Sequence, residues 1–145
     1  MNPNVICVFV FLTLSSICWG DFLTDLKFIK SCNDTSPVSL EVLNVVLAER
    51  RLDKSEAQKF KCFLHCLFLK YGWMDEDGGF LVHEIKSSLE KAQFSQYKYI
   101  VYHCTAIDSF DKCERSYLFT RCFWERVSEK SNEDEKLMYR ILDDN

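Results

Sequence analysis

The chain has little glycine and little proline. Of four Gly and two Pro, Gly20 and Pro3 fall in the first twenty residues, so the rest has only Gly72, Gly78, Gly79 and Pro37. Such sparse punctuation excludes an all-β chain, which needs a turn every few residues. The chain also lacks a basic excess: the net charge is −4 and charges of both signs alternate. A surface that tracks phosphates needs clustered Lys and Arg, so nucleic acid is excluded as a partner. After residue 20 no apolar run approaches the roughly 18 residues of a membrane-spanning helix, so no stable membrane insertion is expected. Cys-x2-Cys and paired His at zinc spacing are missing, His83-Glu84 has no second His to complete a metalloprotease motif, and no Ser-His-Asp arrangement can be drawn. No metal, no cofactor and no enzymatic activity are therefore expected. What remains is an all-α chain of about six helices.

The first twenty residues carry no Asp, Glu, Lys or Arg, are apolar from Val5 to Leu14, and end Cys18-Trp19-Gly20. They read as a secretory signal peptide (1–20) cleaved after Gly20, too short to cross a bilayer core of about 30 Å comfortably. A single domain, 21–145, is expected to follow, with a charged tail from about residue 129. Of eight cysteines, Cys7 and Cys18 leave with the signal peptide. An even set remains, Cys32, Cys62, Cys66, Cys104, Cys113 and Cys122. In a short secreted chain that set reads as a disulfide framework. Asn33-Asp34-Thr35 is a glycosylation sequon, which makes Asn33 a candidate acceptor beside Cys32.

Apolar spacing predicts helices over about 22–31 (stripe Phe22, Leu26, Ile29), 40–50 after Pro37 with Ser39 as cap, 53–71 behind a capping box at Asp53-Lys54-Ser55-Glu56, 83–92, 95–107 and 112–128. The third is apolar on nearly every side: Phe60, Phe63, Leu64, Leu67, Phe68 and Leu69. A helix of that kind is buried, so it should be the central element, stopped by Gly72. The tail hides an apolar stripe, Leu137, Met138, Ile141 and Leu142, which could close over the interior as a lid.

On a helical wheel Cys62 and Cys66 stand about 40° apart and cannot sensibly bond each other, so they must reach two other elements. Cys113 and Cys122, nine residues apart, lie on opposite flanks of their helix. Phe119 and Phe123 sit together between those flanks, at roughly 240° and 280° from Cys113. Spacing alone leaves all 15 pairings of six cysteines open. The pattern Cys-x29-Cys-x3-Cys-x37-Cys-x8-Cys-x8-Cys, with the stretch KCFLHCLFLKYGWMDEDGGF from Lys61 to Phe80, resembles the insect odorant-binding (pheromone/general odorant-binding) proteins from about Phe22 to Trp124.

That resemblance implies three interlocked disulfides, Cys32–Cys66, Cys62–Cys113 and Cys104–Cys122, around a central apolar cavity. It implies that Phe68, Leu69, Trp73, Phe80 and Phe123 line the cavity, and the family architecture with the wheel positions adds Leu89, Ile100, Val101 and Phe119. Phe68 and Trp73 are large where the family often has small polar residues that hydrogen-bond an alcohol or similar head group, which argues against a matching alcohol preference and points to a smaller or reshaped pocket. The implied function is an extracellular, secreted carrier of a small hydrophobic molecule such as an odorant or pheromone. Tyr97, Tyr102 or the Trp73 indole would orient the ligand, and a membrane chemoreceptor is a further partner. The carrier would be a monomer or a weak homodimer. The alternative is a secreted interaction, seminal-fluid or salivary protein of the same fold without an olfactory role.

Three weaker likenesses fall short. Trp73-x-Asp75-x-Asp77-Gly78-x5-Glu84 is similar to a calcium loop, but Trp73 stands where the first carboxylate belongs. Cys62-x2-His65-Cys66 resembles the helix of secreted phospholipases A2, without that motif's double cysteine or acidic partner. Saposin-like proteins need paired Cys-x2-Cys ends. The three histidines, His65, His83 and His103, raise the expectation that acid opens the protein.

Overall fold

The computed structural model describes residues 22–49 and 57–143. The expected signal peptide and the capping box at 53–56 lie outside the described residues. Among those residues the chain forms six α-helices and one 3-10 turn: α1 Phe22–Thr35, α2 Leu40–Glu49, α3 Ala57–Tyr71, α4 Val82–Lys91, the turn Ser95–Tyr97, α5 Lys98–Thr105 and α6 Lys112–Asp143. The all-α class holds, and no described helix is long and apolar enough to cross a membrane.

α3 is the central element. Phe60, Phe63, Leu64, His65, Leu67, Phe68 and Tyr71 are buried along it. It packs most extensively against α6 and then against α1. Its end is a Schellman motif: Trp73 N donates to Phe68 O at 2.8 Å, Gly72 N donates to Leu69 O at 3.1 Å, and Gly72 supplies φ +69°. This motif commonly brings together the side chains at its two ends. Here they are Phe68 and Trp73, whose ring centroids lie 5.6 Å apart. The residue that stops the helix thus also sets an aromatic pair.

α1 departs from the expected stripe. Leu26 is 43% exposed, whereas Asp25 is 5% exposed. The inner face is Asp25, Phe28, Ile29 and Cys32, one face at i, i+3, i+4, i+7. The reason is a buried hydrogen bond: Tyr71 Oη of α3 donates to Asp25 Oδ1 at 2.9 Å, and Phe28 meets the Tyr71 ring edge-on at 5.2 Å. Burial, then the Asp25 carboxylate, push the Tyr71 phenol far above its usual pKa. Replacing Tyr71 by Phe keeps the ring and takes this donor from a buried carboxylate, which should cost about 1–3 kcal/mol. Urea denaturation of Tyr71→Phe measures it; an unchanged midpoint would show that the bond does not hold α1.

α2 begins as expected, with the Ser39 hydroxyl accepting from Val42 N at 3.2 Å. Its inner stripe is narrow: Val42 and Leu43 pack against the core and Val46 is buried, while Leu40 is 78% exposed.

The helix from Lys112 was expected to end near Ser128; α6 continues without a break to Asp143. Lys130 fastens the start of that extension, donating to Gln96 O at 3.1 Å with its ammonium 5.5 Å and 5.1 Å from the ring centroids of Tyr97 and Tyr99. The side chains of Leu137, Met138, Ile141 and Leu142, the expected lid, lie outside the described residues. The expected helix over 95–107 opens instead as the 3-10 turn and ends at Thr105.

The three disulfides are Cys32–Cys66, Cys62–Cys113 and Cys104–Cys122, the pairing that the family resemblance implies. Their loops overlap in sequence, so α1, α3, α5 and α6 are chained together. Cys62 and Cys113 are 51 residues apart. His65 and Ser116, and Phe68 and Phe119, stand at that same separation, one and two steps of three residues further on. Phe68 and Phe119 meet edge to face at 5.7 Å; His65 Nδ1 and Ser116 Oγ meet a common atom, Met74 Sδ, at 3.1 Å and 3.4 Å. Over this stretch α3 and α6 therefore run alongside each other in the same direction, in three layers: a disulfide, a polar pair and an aromatic pair.

Candidate ligand-binding interior

The aromatic layer is the centre of a larger cluster. Phe119 touches Phe68, Phe80 at 5.0 Å and Phe123 at 5.9 Å. Trp73 meets Phe68 and also Tyr71 at 6.0 Å. Offset and edge-on ring arrangements at these distances are favourable beyond simple area burial. Phe119 and Phe123 reach one interior because they are four residues apart on α6, whose two flanks are held by Cys113 and Cys122.

The loop from Trp73 to Phe80 delivers two of these rings. It closes on itself through the antiparallel bridge Met74–Phe80, with Asp75 N donating to Gly79 O at 2.9 Å and Gly79 N donating to Asp75 Oδ1 at 2.7 Å. The Asp75 carboxylate, a ligand position in the calcium-like spacing, is thus used within the turn. The loop is docked on the first turn of α6: Arg115 Nη1 donates to Gly78 O at 2.7 Å and Lys112 Nζ to Glu76 O at 2.9 Å. Gly78 has φ +87°, and a Cβ there would sit 2.6 Å from Lys112 Cβ. The approach requires glycine both conformationally and sterically.

Eight of the nine residues expected to line the interior lie in or against the hydrophobic core. Phe68, Trp73, Leu89, Ile100, Val101 and Phe119 are buried in the core, and Phe80 and Phe123 are half-buried and packed against it. Leu69 is half-buried and lies outside the buried core. Of the polar groups expected to orient a ligand, the Trp73 indole points inward and donates to Ser88 Oγ at 3.1 Å. Tyr97 is half-buried against Phe94, 6.1 Å between ring centroids. Tyr102 is not an interior group: it is 57% exposed, and the Lys86 ammonium lies 4.5 Å from its ring centroid. Asn33 is exposed, and its Oδ1 accepts from Val38 N at 2.8 Å.

Apolar periodicity does not reveal the polar groups of the core. His65, Ser88, Ser116 and Thr120 are all buried. A signal was present: Ser116 and Thr120 are in phase with Phe119 and Phe123 on α6, so polar residues lie on the face that the aromatics define. Of the three histidines, His83 and His103 are exposed, and His103 Nε2 lies 2.8 Å from Arg126 Nη2.

His65 alone is buried. Burial foremost, then the positive charge of Lys112, lower its pKa below the ordinary 6.5, while Asp111 and Asp75 oppose the shift. The unfolded chain therefore binds this proton more readily than the folded one. Stability from His65 is complete above about pH 6.5 and declines as pH falls below it, by at most about 1.4 kcal/mol per pH unit for one proton. Thermal unfolding of the wild type and His65→Gln at pH 7.5 and 5 checks this: the wild type should lose more on acidification. Equal losses would exclude His65 as the source.

These features define a small helical protein whose core is chained by interlocked disulfides around an aromatic interior. The chain belongs to the PBP/GOBP family, whose model matches residues 26–126. This is the insect odorant- and pheromone-binding protein family, a family of binding proteins for small hydrophobic ligands. No curated relative and no solved structure matches the chain.

Proposed function

We propose that the protein is a secreted, extracellular carrier that takes up a small apolar molecule, odorant- or pheromone-like, among Phe68, Trp73, Phe80, Phe119 and Phe123. The observation that carries this reading is the continuous set of ring contacts in the middle of the disulfide-chained core. Aromatic side chains offer much apolar surface with few rotatable bonds, and burying ligand surface against them gains about 25 cal/mol per Å². Binding is reversible and non-covalent. Three closed loops raise the free energy of the unfolded chain, which helps a core of this size tolerate a ligand-sized opening at a cost of about 24 cal/mol per Å³ of cavity. Released ligand passes to a membrane chemoreceptor, with the carrier a monomer or weak homodimer.

The test is fluorescence titration of the oxidised chain from Asp21 with the apolar probe N-phenyl-1-naphthylamine. Saturable uptake at one site, lost on reduction of the disulfides, is expected. A folded chain with three intact disulfides that takes up no probe would overturn the carrier reading and favour an interaction protein of the same fold.

A further inference from the structure

The polar layer between the disulfide and the aromatic pair has one open hydrogen-bonding position. His65 is 6% exposed, and its Nε2 is shielded from solvent with no hydrogen-bond partner. Buried polar atoms are nearly always paired, so an open one calls for a partner. Its chemical sense can be worked out. His65 Nδ1 lies 3.1 Å from Met74 Sδ. A thioether accepts and has no proton to give, so Nδ1 carries the ring's proton and donates. In the neutral ring Nε2 then presents a lone pair. The lowered pKa of His65, caused chiefly by burial, keeps the ring neutral at neutral pH.

The neighbouring donors are already engaged. The Ser116 hydroxyl donates to Lys112 O at 2.9 Å and the Thr120 hydroxyl to Ser116 O at 2.9 Å. Trp73 Nε1 donates to Ser88 Oγ, and the Ser88 hydroxyl in turn to Glu84 O at 2.9 Å. A carbonyl that reaches these four groups meets hydrogens committed elsewhere. A hydroxyl meets the free lone pair of Nε2.

The placement suits a ligand with one polar end. His65 precedes Phe68 by one turn on α3, Ser116 precedes Phe119 by one turn on α6, and Met74 follows Trp73 in the loop. Each of three elements thus contributes one group to the polar layer and one ring to the aromatic layer.

We propose that His65 Nε2 is the polar anchor of the interior, selecting apolar ligands with a hydrogen-bond donor head, an alcohol or phenol, over carbonyl or ether analogues. This rests on the carrier reading and specifies its ligand class. The head lies in the layer of His65, Ser116 and Met74, and the apolar body extends among the rings.

Displacement of N-phenyl-1-naphthylamine by 1-decanol, decanal and decyl methyl ether at pH 7.5 tests the selection. One neutral hydrogen bond should let decanol displace the probe at about five- to tenfold lower concentration than the other two. In His65→Leu that preference should vanish while ether displacement persists. As that variant could misfold, the wild type offers a second measurement: the ¹⁵N resonance of His65 Nε2 should shift on adding decanol and stay in place with the ether. Equal displacement by all three, an unmoved resonance, or an undiminished alcohol preference in His65→Leu would each overturn the anchor and leave the carrier reading standing. Displacement by none of them, with no probe uptake, would overturn both.

Discussion

Replacing Cys62 and Cys113 together by Ser should lower the stability of the oxidised protein by about 4 kcal/mol in the chain-entropy account. The value follows from the length of the closed loop, since these cysteines are 51 residues apart. The Cys104–Cys122 pair, separated by 18 residues, closes a shorter loop and should cost about 3 kcal/mol when replaced in the same way. Guanidinium denaturation of both double variants gives the ordering. The longer loop's loss should be the larger, and a single domain with a total stability of about 5–15 kcal/mol would lose a large part of it. A reversed order would mean that native-state packing around Cys104 and Cys122, both buried, outweighs loop length.

Phe119→Ala should cost about 3–5 kcal/mol, the range for deleting a buried phenyl ring. Phe119 is 3% exposed and is the ring shared by Phe68, Phe80 and Phe123, so α3, α6 and the 73–80 loop all lose a contact at once. Urea unfolding gives the stability loss, and titration with N-phenyl-1-naphthylamine reads the site. Phe123→Ala, at a half-buried position touching the same ring, is the control and should cost less. If Phe119→Ala costs under about 1 kcal/mol, the ring sits in space that its neighbours fill without it. Its place at the centre of the cluster would then have to be abandoned.

Much of the fold was legible because cysteine spacing and apolar periodicity report directly on which faces are buried. The central helix, its stop at Gly72 and the inward turn of Phe119 and Phe123 follow from such patterns. Apolar periodicity falls short where it counts a polar residue as solvent-facing. On α1 that placed Leu26 inside, whereas Asp25 takes the inner position because Tyr71 satisfies it with a hydrogen bond from another helix. The same rule hid His65, Ser116 and Thr120. Tyr102 departs for the opposite reason, since an aromatic ring on a helix can face solvent when a cation such as Lys86 packs over it. Hydrophobic patterning ends α6 near Ser128 because its tail is highly charged. Residues 129–143 contain no Gly or Pro and hold three Glu, two Lys, two Leu, one Met and one Arg, all good helix formers, so intrinsic propensity carried the information that hydrophobicity did not.

The common step of α3 and α6 also sets where this chain can change length. Cys62, His65 and Phe68 face Cys113, Ser116 and Phe119 at one constant separation. One residue inserted between Cys62 and Phe68 would turn everything after it by about 100°. The disulfide could still close, but His65 or Phe68 would then leave its partner. The same insertion between Phe68 and Cys104, in the turn near Gln93 for example, leaves all three layers facing each other. Growth and shrinkage of the sequence are thus confined to the connections, and the short cysteine gaps act as a ruler for the interior.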